Sequence, residues 1–206
     1  KKLCGLENYY GEAGRPPSTQ SKPYLVEGPN IIIARQSSTA NALSSMITGN
    51  AAYDGGHLFL TVQVARQLTG DHPLIKEKLR KVSGTSEYVD GITRYCLWLD
   101  DEDLPLAKSI PPVASRIEDV TRYRKSGGEV AATLIKKPHQ FRYRNACKTS
   151  QLLVPQVSSE RREYLPIGLL APDIVITHLA HAIYDGTLVD FSVLASRLHL
   201  TWITTI

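Results

Sequence analysis

The sequence is poor in cysteine and has no long apolar run. Its three cysteines, Cys4, Cys96 and Cys147, are widely spaced and form no CxxC or CxxH pair, which excludes a disulfide framework and a paired-ligand zinc site. No stretch approaches the ~20 apolar residues that cross a bilayer. The first residues, KKLCGLENYYGEAGRPPS, lack the apolar core of a signal peptide. We therefore expect a cytoplasmic protein with reduced cysteines and no membrane contact.

Sequence motifs of the common enzyme classes are also missing. There is no GxxxxGK(S/T) phosphate loop, no GxGxxG after a strand, no HExxH and no GxSxG elbow. The Pro-Pro pairs in GRPPS and SIPPV lack the leading Asn or Asp and the trailing aromatic ring that base-flipping adenine methylation requires. No catalytic constellation is found, so we expect a binding or recognition module that holds no cofactor.

Metal-ligand spacing is equally scarce. His178 and His181 are the only closely spaced histidines, and on a strand an i, i+3 pair points to opposite faces. The acidic run Asp100–Asp103 follows a predicted strand and is expected to be a solvated loop. The sequence thus predicts no metal site.

What the sequence does contain is an uneven distribution of charge. The formal net charge is only +4, but Arg116 to Arg162 holds eleven Lys or Arg against four Asp or Glu. A basic middle on a near-neutral remainder is typical of a surface that faces phosphate. Composition is otherwise that of an ordinary globular chain, with 42% hydrophobic and 21% charged residues.

Hairpins and segregated helices together predict an α+β fold of antiparallel or mixed strands with several packed helices. Residues 1–22, rich in Gly, Pro and Ser, predict a linker or arm, and residues 23–206 the domain itself. Predicted strands lie in PYLVEGPNIIIARQ, in a hairpin SEYVDGITRYCLWLD, and in LLVPQV, YLPIGLLA and IVITHLAHAIY. The segment SSTANALSSMITGNAAYDGGH is expected to be a long loop with a tight turn at its DGG.

Four helices are predicted from periodicity and end signals. One runs from Thr61 to Gly70, and a second begins after Asp71 and extends to Val82. The third is PPVASRIEDVTRYRKSGG, and the last follows a capping box at Thr187. The chain does not begin with Met and ends in the uncapped apolar pattern SRLHLTWITTI, so we expect a fragment of a larger polypeptide.

The basic residues between 136 and 162 are the candidate DNA-binding residues of the sequence. Arg142 and Arg144, at i and i+2, would project to one side of an extended segment, where they could bridge phosphates or reach guanine. Serine hydroxyls can also donate to phosphate oxygens. The candidates are Lys136, Lys137, His139, Arg142, Arg144, Ser158, Ser159, Arg161 and Arg162. The alternatives are a solvated turn at QVSSERREYLPIG, a charged surface hairpin, or arginines that pair internally with Glu160 and Glu163.

Five blocks in fixed order give the chain a family resemblance. PYLVEGPNIIIAR, DGGHLFLT, SEYVDGITRYCLWL, VSSERREYLPIG and SRLHLTW occur along residues 23–206. Together they resemble the target recognition domain of MmeI-type single-polypeptide restriction–modification enzymes. In that family one polypeptide carries an endonuclease, a helical spacer, an adenine-N6 methyltransferase and this domain. The resemblance implies that the chain reads a short site in double-stranded DNA.

The resemblance also carries expectations about residues and partners. VSSERREYLPIG matches a family block, which implies DNA-facing or site-shaping roles for Ser158, Ser159, Arg161 and Arg162; Thr177 and His178 are further candidates for reading bases. The S-adenosylmethionine site and the catalytic loop would lie upstream, in a methyltransferase domain of the same polypeptide to which residues 1–22 lead. The segment from Thr201 to Thr205 departs from the family pattern, which leaves its contact with that domain open.

Two other function classes remain as alternatives. The basic stretch could meet an acidic protein surface, which would make the chain a protein-docking module. An enzyme with an unrecognised site would require titratable residues that converge in a pocket.

Overall fold

The computed structural model describes residues 43–159 and 161–205 of the 206-residue chain. The arm predicted for residues 1–22 and the strands predicted in PYLVEGPNIIIARQ lie outside the described residues, as does the first part of the predicted long loop. From Leu43 to His57 that loop is confirmed except for one two-residue strand.

The described part of the chain is a mixture of short strands and helices, which confirms the α+β prediction. The strands are β1 (Ile47–Thr48), β2 (Phe59–Thr61), β3 (Leu79–Ser83), β4 (Arg94–Leu97), β5 (Gln151–Pro155), β6 (Gly168–Leu170), β7 (Val175–Ile176) and β8 (Ala180–Tyr184). The α-helices are α1 (Val62–Asp71), α2 (Thr85–Val89), α3 (Leu104–Ser109), α4 (Pro111–Ser126), α5 (Glu129–Ala132), α6 (Leu188–Ala195) and α7 (Arg197–Thr205). The 3-10 helices are Pro73–Lys78 and Asp101–Asp103.

The strands form two four-stranded sheets within the described residues. The first has the order β2-β4-β3-β7, with β3 and β7 parallel and its other pairs antiparallel. The second, β1-β8-β5-β6, is antiparallel throughout. The larger core lies between the first sheet, α1 and α4, and a smaller one lies between the second sheet and α6.

The two sheets meet at Gly49 and Asn50. The Gly49 amide donates to the Ala180 carbonyl at 3.0 Å, and the Asn50 amide donates to the Ile176 carbonyl at 2.7 Å. A Cβ on Gly49 would lie 2.3 Å from the Thr177 carbonyl oxygen, so only glycine permits this approach of the two chain segments. The junction therefore sets how the end of β7 lies against the start of β8.

Local signals predicted three helices well. The third predicted helix is α4, which starts at a Pro-Pro pair and buries Val113, Ile117 and Val120 as expected. Thr61 caps α1 by accepting from the Val64 amide at 3.3 Å. The box at Thr187 is present, but the predicted last helix is interrupted at Ser196, whose Oγ accepts from the His199 amide at 3.1 Å and starts α7.

Three predictions were wrong, two of them because pairing with distant strands decided the structure. The helix predicted from Asp71 to Val82 ends as a 3-10 turn at Lys78, and the rest is β3, paired on both sides. The first half of the predicted hairpin is α2, where the Glu87 carboxylate accepts from the Gly84 amide at 3.0 Å. IVITHLAHAIY contributes two strands to different sheets. Propensity is a weak guide where tertiary pairing is available.

No helix among the described residues is long and apolar enough to cross a membrane.

Candidate nucleic-acid interface

The loop 156–162 lies between the two antiparallel strands β5 and β6. Ser158, Ser159, Arg161 and Arg162 are all exposed on it. The Arg162 amide donates to the Ser159 carbonyl at 3.1 Å, and the Arg161 amide donates to Ser159 Oγ at 3.3 Å. Ser159 thus closes a tight turn with both its backbone and its side chain. The two arginine side chains are exposed to solvent on this turn, which is anchored at both ends by strands β5 and β6.

A pocket of about 290 Å³ lies between this loop and α2. Its wall on the loop side contains Ser158, Ser159 and Arg162, and its wall on the helix side contains hydroxyls and one carboxylate. The lining residues are Thr85, Ser86, Val89, Asp90, Val157, Ser158, Ser159, Arg162 and Pro166. The lining thus includes hydroxyl and guanidinium donors and one carboxylate acceptor, Asp90. This combination can hydrogen-bond a polar edge such as that of a base.

The turn between β7 and β8 borders the same region. Gln156 Nε2 donates to the His178 carbonyl at 2.8 Å, and Thr85 Oγ1 donates to the Leu179 carbonyl at 2.7 Å. These bonds place His178, which is exposed, beside the loop 156–162. The four candidates from VSSERREYLPIG and His178 therefore share one edge of the protein, called here the loop edge (residues 156–159, 161 and 162, α2, and 178 and 179).

Thr177 does not reach this surface. Its side chain is buried, with 4% exposed, and its amide donates to the Ser83 carbonyl at 3.0 Å. Its Oγ1 has no hydrogen-bond partner among the described residues. Thr177 shapes the junction of the sheets, and its predicted contact with bases is not supported by its burial.

The arginines of the loop edge are not neutralised by the neighbouring glutamate. Glu163 Oε1 lies 3.4 Å from Arg197 Nη1 on α7. Among the described residues no acid forms an ion pair with Arg161 or Arg162; Glu160 lies outside them. Glu163 therefore pairs with Arg197, and its pairing with Arg161 or Arg162, one of the alternatives for this turn, is not observed among the described residues.

The candidates from Lys136 to Arg144 have different surroundings, built on the acidic run. Lys137 Nζ lies 2.6 Å from Asp101 Oδ2, and His139 Nε2 lies 3.0 Å from Asp101 Oδ1. The hydrogen bond from Lys137 lowers the pKa of Asp101, with His139 adding to the effect against some desolvation. Asp103 pairs with Lys78 at 2.8 Å. The run predicted as a solvated loop contains the 3-10 helix Asp101–Asp103; Asp100 and Asp101 are exposed as expected and also form ion pairs.

His139 is a structural residue. Its side chain is 1% exposed, and burial lowers its pKa below the usual value although Asp101 acts in the opposite direction. A buried, largely neutral ring offers no surface to DNA. Lys136 and Lys137 are exposed, and of these Lys137 is held by Asp101.

Arg142 and Arg144 have different partners. The segment that carries them is not a strand. Arg144 Nη1 donates to the Leu99 carbonyl at 2.7 Å, and its Nη2 pairs with Asp100 at 2.8 Å. Arg142 is exposed and stacks near Tyr143, with Cζ 4.9 Å from the ring centroid. The strand on which the expected i, i+2 pair depended is not formed, and tertiary contacts give the two guanidinium groups different partners.

Sequence reasoning missed Arg124, which organises this basic segment from inside. Arg124 is fully buried on α4 and has no carboxylate partner among the described residues. Its guanidinium donates five bonds of 2.8–2.9 Å to backbone carbonyls, those of Ala52, Tyr53, Leu134, Lys137 and Gln140. Desolvation lowers its pKa. The available signal was its place on the apolar stripe, four residues after Val120.

Two further observations bear on site chemistry. Among the described residues no group of three or more His, Cys, Asp or Glu side chains is arranged to hold a metal ion. Cys96 and Cys147 are both free thiols, and burial raises the pKa of Cys96 to about 12.

Comparison with known proteins identifies the family. The family described as MmeI, target recognition domain, matches residues 27–206. The chain belongs to this family. The target recognition domain is 32% identical over 182 residues to DNA methyltransferase A of Bacillus subtilis (strain 168), covering 88% of the chain and 21% of that protein.

A solved structure extends the comparison to the fold. The domain superposes with a TM-score of 0.83 and 28% identity on the type IIL restriction–modification enzyme MmeI, determined in complex with DNA. The match covers 92% of the chain and 25% of MmeI. The chain thus spans about a quarter or less of the length of these relatives.

Proposed function

We propose that this target recognition domain is the duplex DNA sequence-recognition module of a restriction–modification adenine methyltransferase. The observation that carries the proposal is the loop edge, where Arg161 and Arg162 are exposed without an acidic partner among the described residues. The structural neighbour, MmeI, was determined with DNA. Arginine side chains are well suited to phosphate and to guanine because of their planar, bidentate donor groups.

Within this proposal the loop edge supplies two kinds of contact. Arg161 and Ser158 lie at the exposed rim, where phosphate oxygens can accept from them. Arg162 and Asp90 line the pocket, where a donor and an acceptor can discriminate the polar edges of base pairs. His178 borders the loop and is the remaining candidate for reading a base.

The chain itself performs no catalysis in this proposal. S-adenosylmethionine and the methylating residues belong to a methyltransferase domain of the same polypeptide. The exposed apolar side chains of α6 and α7 are the surface proposed to contact that domain, since Leu188, Leu198 and Trp202 are 70%, 82% and 56% exposed. Exposed apolar patches of this kind are typical of contacts between domains.

Fluorescence anisotropy with labelled duplexes, repeated across a salt series, tests DNA binding. The logarithm of the binding constant should fall linearly with the logarithm of salt concentration, because phosphate contacts release counterions. Selection from a randomised duplex pool should then enrich one short site. Binding that does not depend on salt, or no binding at low salt, would contradict the proposal.

A further inference from the structure

A row of arginines lies on one face of the first sheet. Arg80 on β3 and Phe59 on β2 are both register partners of Cys96 on β4. Cross-strand partners share a face of the sheet, and so does Arg94, two residues before Cys96. Arg80 and Arg94 therefore come to the same face although their strands run in opposite directions.

Aromatic rings under this face hold the guanidinium groups in place. Trp98 packs against Phe141 with ring centroids 5.3 Å apart. Arg80 Cζ lies 5.0 Å from the Trp98 centroid, and Arg144 Cζ lies 4.4 Å from the same centroid. Cation–π contact restricts both side chains to a narrow range of positions, so little further entropy is lost when an anion binds between them.

Of the two arginines beside Trp98, only Arg144 has an acidic partner among the described residues. Asp100 pairs with Arg144 at 2.8 Å, whereas no described residue forms an ion pair with Arg80. The Cys96 thiol beneath them stays neutral at physiological pH, because burial raises its pKa to about 12. Desolvation lowers the pKa of Arg144, and the charge of Arg80 contributes to the same shift against the attraction of Asp100. Two like charges therefore lie against one ring, and only Arg144 has a carboxylate partner among the described residues.

We propose that Arg80 and Arg144, held on Trp98, form a docking point for a phosphodiester group of duplex DNA. A phosphate between two guanidinium groups would receive charge-assisted bonds from both. Asp100 is 66% exposed, so water solvates its carboxylate when phosphate takes its place. The inference rests on the proposed function and adds a sequence-independent contact that is separate in the fold from the loop edge.

The test compares arginine variants of the full chain in the anisotropy salt series. Arg80→Gln removes the unpaired charge, whereas Arg80→Lys keeps the charge but lacks the planar, bidentate donor group of arginine. Arg122→Gln is the matched control, since Arg122 is 78% exposed on α4 and pairs with Asp119 at 2.9 Å. Arg144 is left intact because it also donates to the Leu99 carbonyl. Thermal unfolding of each variant checks that the fold is kept.

We expect Arg80→Gln to bind unrelated duplexes several-fold more weakly and to lower the salt slope by about 1. Arg80→Lys should keep the salt slope, and Arg122→Gln should bind DNA like the unmodified chain.

If the unmodified chain binds DNA and Arg80→Gln has the same affinity and salt slope as Arg122→Gln, the docking point is wrong and the proposed function stands. If the unmodified chain binds no duplex, both are wrong. If Arg80→Gln loses binding to polyglutamate but keeps its DNA affinity, the arginine pair serves an acidic protein surface instead.

Discussion

Glu163 pairs with Arg197, whose Nη1 lies 3.4 Å from Glu163 Oε1, so the acid beside the double arginine is directed to the last helix. The pair ties the loop edge to α7 and leaves the two arginines of the loop without that partner. Exposed pairs of this kind add at most about 1 kcal/mol to stability. The consequence of this pair is that Glu163 does not neutralise Arg161 or Arg162.

Arg162→Ala should weaken DNA binding without affecting the fold. Arg162 lines the pocket and its side chain has no ion-pair partner among the described residues, so its removal leaves no buried group unsatisfied. We expect a severalfold loss of affinity and a salt slope lower by up to about 1 in anisotropy titrations. Arg122→Ala, on the exposed side of α4, is the control. Equal affinity of both variants would remove Arg162 from the interface.

Arg124→Lys should destabilise the protein strongly although the charge is conserved. Five carbonyls accept from the buried guanidinium, and an ammonium group has only three donors. We expect a loss of about 3–5 kcal/mol in the free energy of unfolding, measured by urea denaturation. Lys125→Met, at the exposed neighbouring position of the same helix, should change it little. A similar midpoint for the two variants would show that the carbonyl contacts are weak.

Asp190 should make the stability depend on acid pH. Hydrogen bonds from Thr187 and Ser44 hold its pKa at about 2, although burial opposes them. Because the folded pKa lies below the unfolded value, the stabilisation is present above about pH 4 and is lost as pH falls toward 2. Asp190→Asn should lose about 2 kcal/mol of unfolding free energy at pH 7. Urea titrations from pH 7 to 2 should converge for the two proteins; parallel curves would contradict this.

Two glycine-to-alanine changes should have opposite signs. Gly49→Ala places a methyl group 2.3 Å from the Thr177 carbonyl oxygen and should cost several kcal/mol, since backbone must shift on both sheets. Gly70 lies in α1, and a Cβ added to it would have no neighbouring atom within 4 Å, so Gly70→Ala should stabilise by about 0.5–1 kcal/mol. Thermal unfolding of both variants measures the difference. Destabilisation by Gly70→Ala would show that α1 needs glycine there.

Local sequence was sufficient wherever neighbouring residues form the contacts. The Pro-Pro start, apolar stripe and Gly127 end of α4 are all within one segment, and the capping box at Thr187 spans four residues. Strand β3 was not predictable in this way, and helix α2 was missed although its contacts are local. The backbone of β3 is satisfied by β4 and β7, whereas α2 is stabilised by Glu87, which accepts from the Gly84 amide three residues earlier and pairs with Arg94 at 3.0 Å.

In the candidate site, too, the features set by neighbouring residues were predicted and those set by distant residues were not. The exposed loop 156–162 and its two flanking strands were predicted, because the double arginine interrupts apolar runs. The side-chain contacts of His139 and Arg144 were not predicted, because their partners Asp101 and Asp100 lie 38 and 44 residues earlier in the chain. Arg80 was missed for the same reason: its significance comes from Trp98 and Arg144.

The sequence by itself determined the family, the α+β class, the long central helix and the exposed arginine loop, because ordered motifs and local periodicity depend on residues close in the chain. Only the tertiary structure decided which basic residues remain available. A buried arginine bound by carbonyls, a lysine and an arginine paired with distant aspartates, and an arginine stacked without an acid all have the same charge in the sequence. Long-range contacts and desolvation distinguish them, and these exist only in the folded chain.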